Sequence, residues 1–522
     1  MPYAITIDQS TSATKVLICR IDDRAVGSGI NGFEIIDQES IGHVQHYPQA
    51  GWVEHDADEI WLNLVSATRA LLLRNRQITI FSHVSITNQR ETIVVFDRKS
   101  SRPLRNAIVW QCVRAAEICS ELKSLGHGEQ VQRKTGLRLD TYFSAPKLKW
   151  LVCHEPAIAQ QLKSGAAVIG TIDTYLIHRL TRRNTFATDQ TNASRTLLFN
   201  INSMQWDQSL CDLFDVPMSA LPDIRNSSAR FGDTTIDGLL ANAIPIVGVM
   251  GDSQAALFAQ GCHQPGDVKV TIGTGSSILL NIGNRPLPAQ DGAVTTVAWC
   301  NANANTNTNN NFDSMPTYCY EGNITCSAAT ITWLRDRLAL INSPSETGDI
   351  AESISDNGGV YLVPAFAGLG APYWQPAARA AIVGMNSSSG REQIVRAGLE
   401  SIAYQIRDVL DMLKGQAGIE LHNIRADGGA TINSFLMQFI ADISGLKVDV
   451  AANPACSAIG AMLMGCIGMS LRKQSDISGL STGATYQPKM SADQVSANYA
   501  GWKQAVNSVI HSTNQSISQS PR

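Results

Sequence analysis

One local pattern opens each half of the 522-residue chain, and it narrows the fold more than any other feature. Residues 3–7 are apolar and β-prone, Asp8 closes them, the hydroxyl-rich run 9–14 follows, and residues 16–19 are apolar again. Residues 268–272 run likewise into Gly273-Thr274-Gly275-Ser276-Ser277, and 278–282 are apolar. Strand, small polar turn, strand predicts a hairpin whose tip offers backbone N–H and hydroxyl groups to an anion. Two such openings predict two related domains facing each other, 1–250 and 251–522, with a small-molecule site in the cleft between them.

The rest of the chain fits that frame. Residues 60–74 carry helical apolar spacing, and 78–86 predict a strand leading into Thr87-Asn88-Gln89-Arg90-Glu91. Strands at 93–96 and 107–110, a helix over 114–125, a strand over 244–250 and a small-residue helix from about Ser253 extend the alternation. Alternating strands and helices predict an α/β architecture. Residues 457–471 are rich in Gly and Ala and too short to span a bilayer, so they predict a buried, closely packed helix. The low-complexity run at 301–311 (NANANTNTNNN) reads as a surface insertion, and the polar tail after about Ser512 as frayed.

Charge and cysteine usage exclude several classes. Lys and Arg total 41 against 45 Asp and Glu, so 41 − 45 gives −4, without the basic excess of a nucleic-acid binder. Eleven cysteines stand singly, which predicts free, mostly buried thiols in a reducing compartment. The first ten residues have no basic region and carry Asp8 where a signal peptide would be apolar, so the expectation is a cytoplasmic protein without membrane insertion.

The chain lacks a GxxxxGK[ST] loop, an HExxH, a GxSxG elbow and the protein-kinase motifs. What it has is acids at strand ends beside Gly- and Thr-rich turns: Asp8, Asp252, and Asp427 before Gly428-Gly429. Such acids suit Mg²⁺, and the turns suit phosphates, which together suggest phosphoryl transfer by positioning and charge neutralisation.

Long blocks make that suggestion specific. Asp8-Gln-Ser-Thr11, Ile86 to Thr92 (ITNQRET), Asn106 to Gln111 (NAIVWQ), Tyr142-Phe-Ser144 with Lys147 and Trp150, and Asp189 to Asn200 (DQTNASRTLLFN) resemble the FGGY carbohydrate kinases. So do Gly251-Asp252, Gly273-Thr-Gly275, Pro364 to Trp374 (PAFAGLGAPYW) and Asp427-Gly-Gly-Ala430. The likeness spans about residues 3 to 505 and is greatest to members that act on glycerol. It implies an actin/hexokinase-like fold of two ribonuclease-H-like domains closing over Mg·ATP and a polyol or sugar, in a homo-oligomer (dimer or tetramer).

The resemblance also implies roles. Asp252 matches the general base, with a helix N-cap as the plain alternative. Asp8 matches the metal-side carboxylate that holds Mg²⁺ through water, with Asp252 as the other metal-side acid; the plain alternative for Asp8 is a turn-initiating Asp. Thr11, Ser12, Ala13 and Lys15 match the first phosphate turn and Thr274 the second. Ala328, Thr332, Gly429 and Asn433 match the nucleotide side. Arg90, Glu91 and Tyr142 match the polyol set, and Trp110 its aromatic wall; a buried ion pair and a core Trp are the alternatives.

Two departures from the family pattern fall on the polyol pocket. Ser253 stands where a Gln is usual, with Gln254 one place on, and Ser277 stands where Phe is usual. Both shrink side chains that line the pocket, and Ser277 puts a hydroxyl where an apolar wall is usual, so a larger, more polar pocket is expected. The retained Arg90, Glu91, Trp110, Tyr142 and Asp252 imply glycerol or a close small polyol as the acceptor, and the two departures make a tetritol, pentitol or ketopentose the alternative. Ser10 for Gly, Lys15 for Arg, Ala328 for Gly and Thr332 for Gln are smaller departures on the phosphate and nucleotide sides.

Overall fold

Tyr3–Gln9 (β1) and Ala13–Ile21 (β2) pair antiparallel about a turn in which Ser10 donates both its N–H and its hydroxyl to the Ala13 carbonyl. The structure is a computed structural model that describes residues 2–22, 32–290, 292–301 and 315–518, without the side chains of 513–518. Ile5, Ile7, Val16 and Ile18 point from the hairpin into a core shared with Ala57–Arg74 (α1). Asp56 caps that helix by accepting from the N–H groups of Asp58 and Glu59.

Phe33–Gly42 (β3), Phe81–Asn88 (β4), Arg230–Thr234 (β5) and Ile244–Gly251 (β6) complete a sheet of order β5-β6-β4-β1-β2-β3. Strands β1, β4 and β6 are parallel, and β2, β3 and β5 run against their neighbours. The second half repeats this wiring. Val268–Ile272 (β7), Ser276–Gly283 (β8), Val294–Cys300 (β9), Pro316–Ile324 (β10), Ile424–Asp427 (β11), Val448–Ala451 (β12) and Thr482–Tyr486 (β13) stand in the order β9-β10-β8-β7-β11-β12-β13. Here β7, β11 and β12 are parallel, while β8, β10 and β13 are antiparallel to their neighbours. An antiparallel hairpin followed by two parallel strands thus occurs twice, as the twin openings predict.

A side sheet including Ile93–Asp97 and Ala167–Thr171 carries Ser144–His154 (α2), whose first turn approaches the end of β4. Asp252–Ala259 (α3) follows β6 directly, Ala328–Asp336 (α4) follows β10, and Ser434–Ser444 (α5) follows β11.

Cys456–Gly468 (α6) comes from the second half yet packs on β1, β4 and β6 of the first and on α3. Its small residues allow this: a Cβ on Gly460 would collide with the Ala255 carbonyl. Ten of the thirteen residues of α6 are buried, as expected for most of 457–471, but the helix ends at Gly468, and Ser470 and Leu471 beyond it are exposed. Ala4, Leu17, Met250, Phe258, Trp299, Ile459 and Met462 form one apolar cluster across both halves.

None of the eleven cysteines is in a disulfide, and ten are buried while Cys153 is exposed. No described helix is long and apolar enough to cross a membrane. Apart from Asn301, the 301–311 insertion lies outside the described residues. Ala492–Ser518 (α7) stays helical beyond Ser512, where its polar composition predicts fraying.

Candidate active site

The parallel strands bring their C-terminal ends together, the usual place for a ligand site in such sheets. Asp8 is in register with Thr87, and Met250 with Thr87 from the other side, so Asp8, the 88–91 turn and Asp252 converge. The Gly251 N–H donates to the Thr191 hydroxyl (2.8 Å), which fixes the start of α3.

Asp252 is the first residue of α3 and Gly251 occupies the cap position, so the Asp stands one place past the N-cap. One carboxylate oxygen accepts from the Ser253 N–H (2.7 Å) and faces the Arg90 guanidinium at 3.3 Å. The side chain is 35% exposed, whereas Arg90 behind it is 4% exposed.

Arg90 donates two bonds of 2.9 Å to Glu321 on β10, and Arg195 lies 2.8 Å from the same carboxylate while its Nε donates to Glu91 at 2.6 Å. Burial alone would push Glu321 upward, but Arg195 and Arg90 outweigh it and hold it far below the usual carboxylate range. Glu91 is instead raised, chiefly by burial, against the pull of Arg195 and Arg90. Its backbone is left-handed (φ 63°), an uncommon conformation that clusters at functional sites. The plain alternative for Arg90 and Glu91, a buried ion pair, is therefore present, and it positions Asp252.

Ser277 pairs in register with Asn323, and Leu279 with Glu321, so Ser277, Asn323 and Glu321 share one sheet face. Asn323 donates to Glu321 at 3.1 Å, and the Ser277 hydroxyl is buried without a hydrogen-bond partner among the described residues. Gln254 is buried with its carbonyl 3.3 Å from Arg90, so it faces inward beside the half-buried Ser253. Trp110 meets Tyr142 edge-on (5.3 Å between rings), and its indole N–H donates to the Thr11 hydroxyl at 2.9 Å. Tyr142 is pushed upward by burial and by Glu91.

At the first turn, His43 donates to the Thr11 carbonyl (2.9 Å), Ser12 is exposed, and Lys15 lies opposite Asp8 across β1 and β2. Asp8 is raised to about 6 by burial, with Lys15 lowering it and the charge of Asp252 raising it. A buried carboxylate repelled by a second one fits a divalent cation. No group of three metal-binding side chains occurs among the described residues, so two carboxylates would leave most coordination positions to phosphate oxygens and water.

At the second turn, the Thr274 carbonyl accepts from the N–H groups of Ser327 and Ala329, and the Gly273 carbonyl from Ala328. The hairpin thus satisfies the free N–H groups at the start of α4. Thr274 and Thr332 are exposed on this side. Gly428 has φ 102°, and a Cβ there would strike the Ile272 carbonyl, whereas nothing lies within 4 Å of a Cβ on Gly429. The turn therefore needs Gly428, and Gly429 faces open space beside Ile432, which is 85% exposed. Asn433 caps α5 through the Leu436 N–H and donates to Thr347 at 3.0 Å. Asp427 accepts from Gln260 (2.6 Å), which ties this acid to α3.

Comparison with known proteins agrees with this geometry. Residues 3–259 match the N-terminal domain model of the FGGY family of carbohydrate kinases, and residues 268–469 match its C-terminal domain model. The chain belongs to the FGGY carbohydrate kinases. It is 42% identical to glycerol kinase 1 of Thermotoga maritima over 97% of this chain and 99% of that one. Glycerol kinase 2 of Pseudomonas aeruginosa is 41% identical over 97% and 96%. The crystal structure of Plasmodium falciparum glycerol kinase with ADP superposes with a TM-score of 0.89 at 36% identity, covering 98% of each chain. A xylulose kinase from Lactobacillus acidophilus shares the fold (TM-score 0.84) at 20% identity.

Strand register and contacts bring Asp8, Arg90, Glu91 and Asp252 together and join Trp110 to Tyr142 and Thr11. Thr274 with Ala328 and Gly429 with Asn433 stand at two further turns. Two residues that organise the first group were not among those expected. Glu321 sits in a strand reading Tyr-Cys-Tyr-Glu-Gly, where a lone acid among buried residues was the available signal. Arg195 lies inside the Asp189–Asn200 block that carries the resemblance, with no separate mark of its role.

Proposed function

We propose that this FGGY kinase transfers the γ-phosphoryl group of ATP to a terminal hydroxyl of glycerol, releasing ADP and a proton. The observation that carries the reading is the Asp252 carboxylate, half exposed at the cleft and held from behind by a fully buried Arg90–Glu321–Arg195–Glu91 network. Relatives at about 40% identity over nearly the whole chain bear the name glycerol kinase, which supports glycerol as the acceptor.

In this reading the acceptor lies between Trp110 and Tyr142 on one side and the Ser277–Asn323 face on the other. Asp252 takes the hydroxyl proton as the new P–O bond forms and the bond to the ADP oxygen breaks. Thr11, Ser12 and Ala13 from the first domain and Thr274 from the second offer hydroxyl and backbone N–H groups to the phosphates. Lys15 adds a positive charge near them. Asp8 and Asp252 would hold Mg²⁺, which when bound neutralises charge on the transferring group. Gly429 leaves room for the nucleotide, with Ala328 and Thr332 across from it and Asn433 fixing α5 beside it. The domain division near residue 250 belongs to the same reading. Phosphorus NMR of a reaction with Mg·ATP and glycerol tests it: a phosphomonoester signal growing with ADP is expected, and inorganic phosphate alone would contradict it.

A further inference from the structure

We infer that Lys147 is a positioning residue for the acceptor site, its buried ammonium holding the backbone that presents Tyr142. Lys147 is 0% exposed, on the first turn of α2. Its Nζ donates to three consecutive carbonyls, Thr141 (2.6 Å), Tyr142 (2.7 Å) and Phe143 (2.9 Å). An ammonium has three donors, and all are used on one segment. With its carbonyls drawn inward, the segment sends the Tyr142 ring the other way, against Trp110 at 5.3 Å and toward the Arg195 guanidinium at 5.9 Å. The same turn is joined to the acceptor site a second time, because the Ser144 hydroxyl donates to the Glu91 carbonyl at 3.0 Å.

A lysine sealed from water is a costly way to hold a loop that a neutral donor could hold. The ammonium brings three donors on one atom, and the three converging carbonyls use all of them. Burial lowers the ammonium to about 8, and the groups that face it, Glu91, Cys112, Asp140 and Cys119, each raise it in part. As pH rises through about 8 the amine loses one donor and its charge, and the Tyr142 segment loosens. The sign for global stability is opposite. The unfolded chain keeps this proton to the ordinary 10.5, so between 8 and 10.5 the titration itself adds stability. A weaker acceptor site at alkaline pH is thus distinguishable from unfolding.

The inference rests on the acceptor-site reading above, so the test uses whichever polyol the wild-type enzyme phosphorylates best. With that acceptor, Lys147→Met should raise the acceptor KM about tenfold with kcat and the ATP KM within about threefold, and Lys147→Gln should recover part of the loss. The wild-type acceptor KM should climb above pH 8 while the ATP KM stays flat, and the climb should vanish in Lys147→Met. A folded Lys147→Met with unchanged acceptor KM, or equal losses for acceptor and ATP, would overturn the assignment. If that variant does not fold, a wild-type acceptor KM that is flat from pH 7 to about 9.5 does the same. Absence of turnover with every polyol would instead remove the acceptor-site reading, and this assignment with it.

Discussion

Arg90 and Glu321 are 231 residues apart in sequence and joined by two hydrogen bonds of 2.9 Å. The pair links the turn after β4 in the first half to β10 in the second. Arg195 shares the same carboxylate and also pairs with Glu91, so two buried guanidinium groups are matched by two buried carboxylates.

Removing that charge should therefore hurt twice. Glu321→Gln leaves two guanidinium groups buried without their shared partner, a loss on the order of 3–5 kcal/mol for breaking a buried pair. A lower melting temperature and a lower kcat are expected, because Arg90 also sets Asp252. Thermal unfolding and steady-state kinetics check both, and an unchanged kcat would separate Arg90 from the positioning of Asp252.

Asp252→Asn keeps the size and the contact with the Ser253 N–H but cannot take a proton. Turnover should fall about 10²- to 10⁴-fold with acceptor binding nearly intact. Calorimetric binding beside single-turnover rates measures the split, and near-normal turnover would show that another group takes the proton.

Asp8 gives a pH signature. Its folded value of about 6 lies above the ordinary 3.8, so the folded protein binds the extra proton between those values. Its stabilising effect is present below 3.8 and is lost as pH rises to about 6. Asp8→Asn should melt higher than wild type at pH 7.5 and alike at pH 4, while losing most Mg·ATP turnover. In the wild type, kcat/KM for Mg·ATP should fall as pH drops below about 6. Equal melting at both pH values would mean that Asp8 is not strained by burial.

Trp110 joins two sites, since its ring meets Tyr142 and its indole N–H holds Thr11. Trp110→Phe keeps an aromatic wall and removes the donor. The ATP KM should rise about three- to tenfold, the cost of one hydrogen bond, with a smaller change for the acceptor. The reverse pattern would limit Trp110 to the acceptor wall.

The wiring of the two halves was legible because hairpins and parallel strands write themselves as short apolar runs closed by small polar turns. The strand over 268–272 was located to the residue, and the helix expected from about Ser253 begins at Asp252. Two kinds of feature were not legible. The Glu321 partnership depends on a 231-residue separation that no local period encodes. The docking of α6 on the first sheet depends on Gly460 meeting Ala255, a fit visible only once both helices are placed. Within the site, residue types were readable but their states were not: Arg90 reads as a polyol donor, and the fold turns two of its donors to Glu321 and others toward Gln254 and Asp252.

The most direct measurement is a coupled ADP-release assay with Mg·ATP against glycerol, erythritol, pentitols and ketopentoses, with Ser277→Phe run alongside. Glycerol giving the highest kcat/KM, with Ser277→Phe narrowing the enzyme further toward it, is the predicted result. A longer polyol or a ketose giving the highest kcat/KM would contradict glycerol as the acceptor and assign the unpartnered Ser277 hydroxyl to the longer chain.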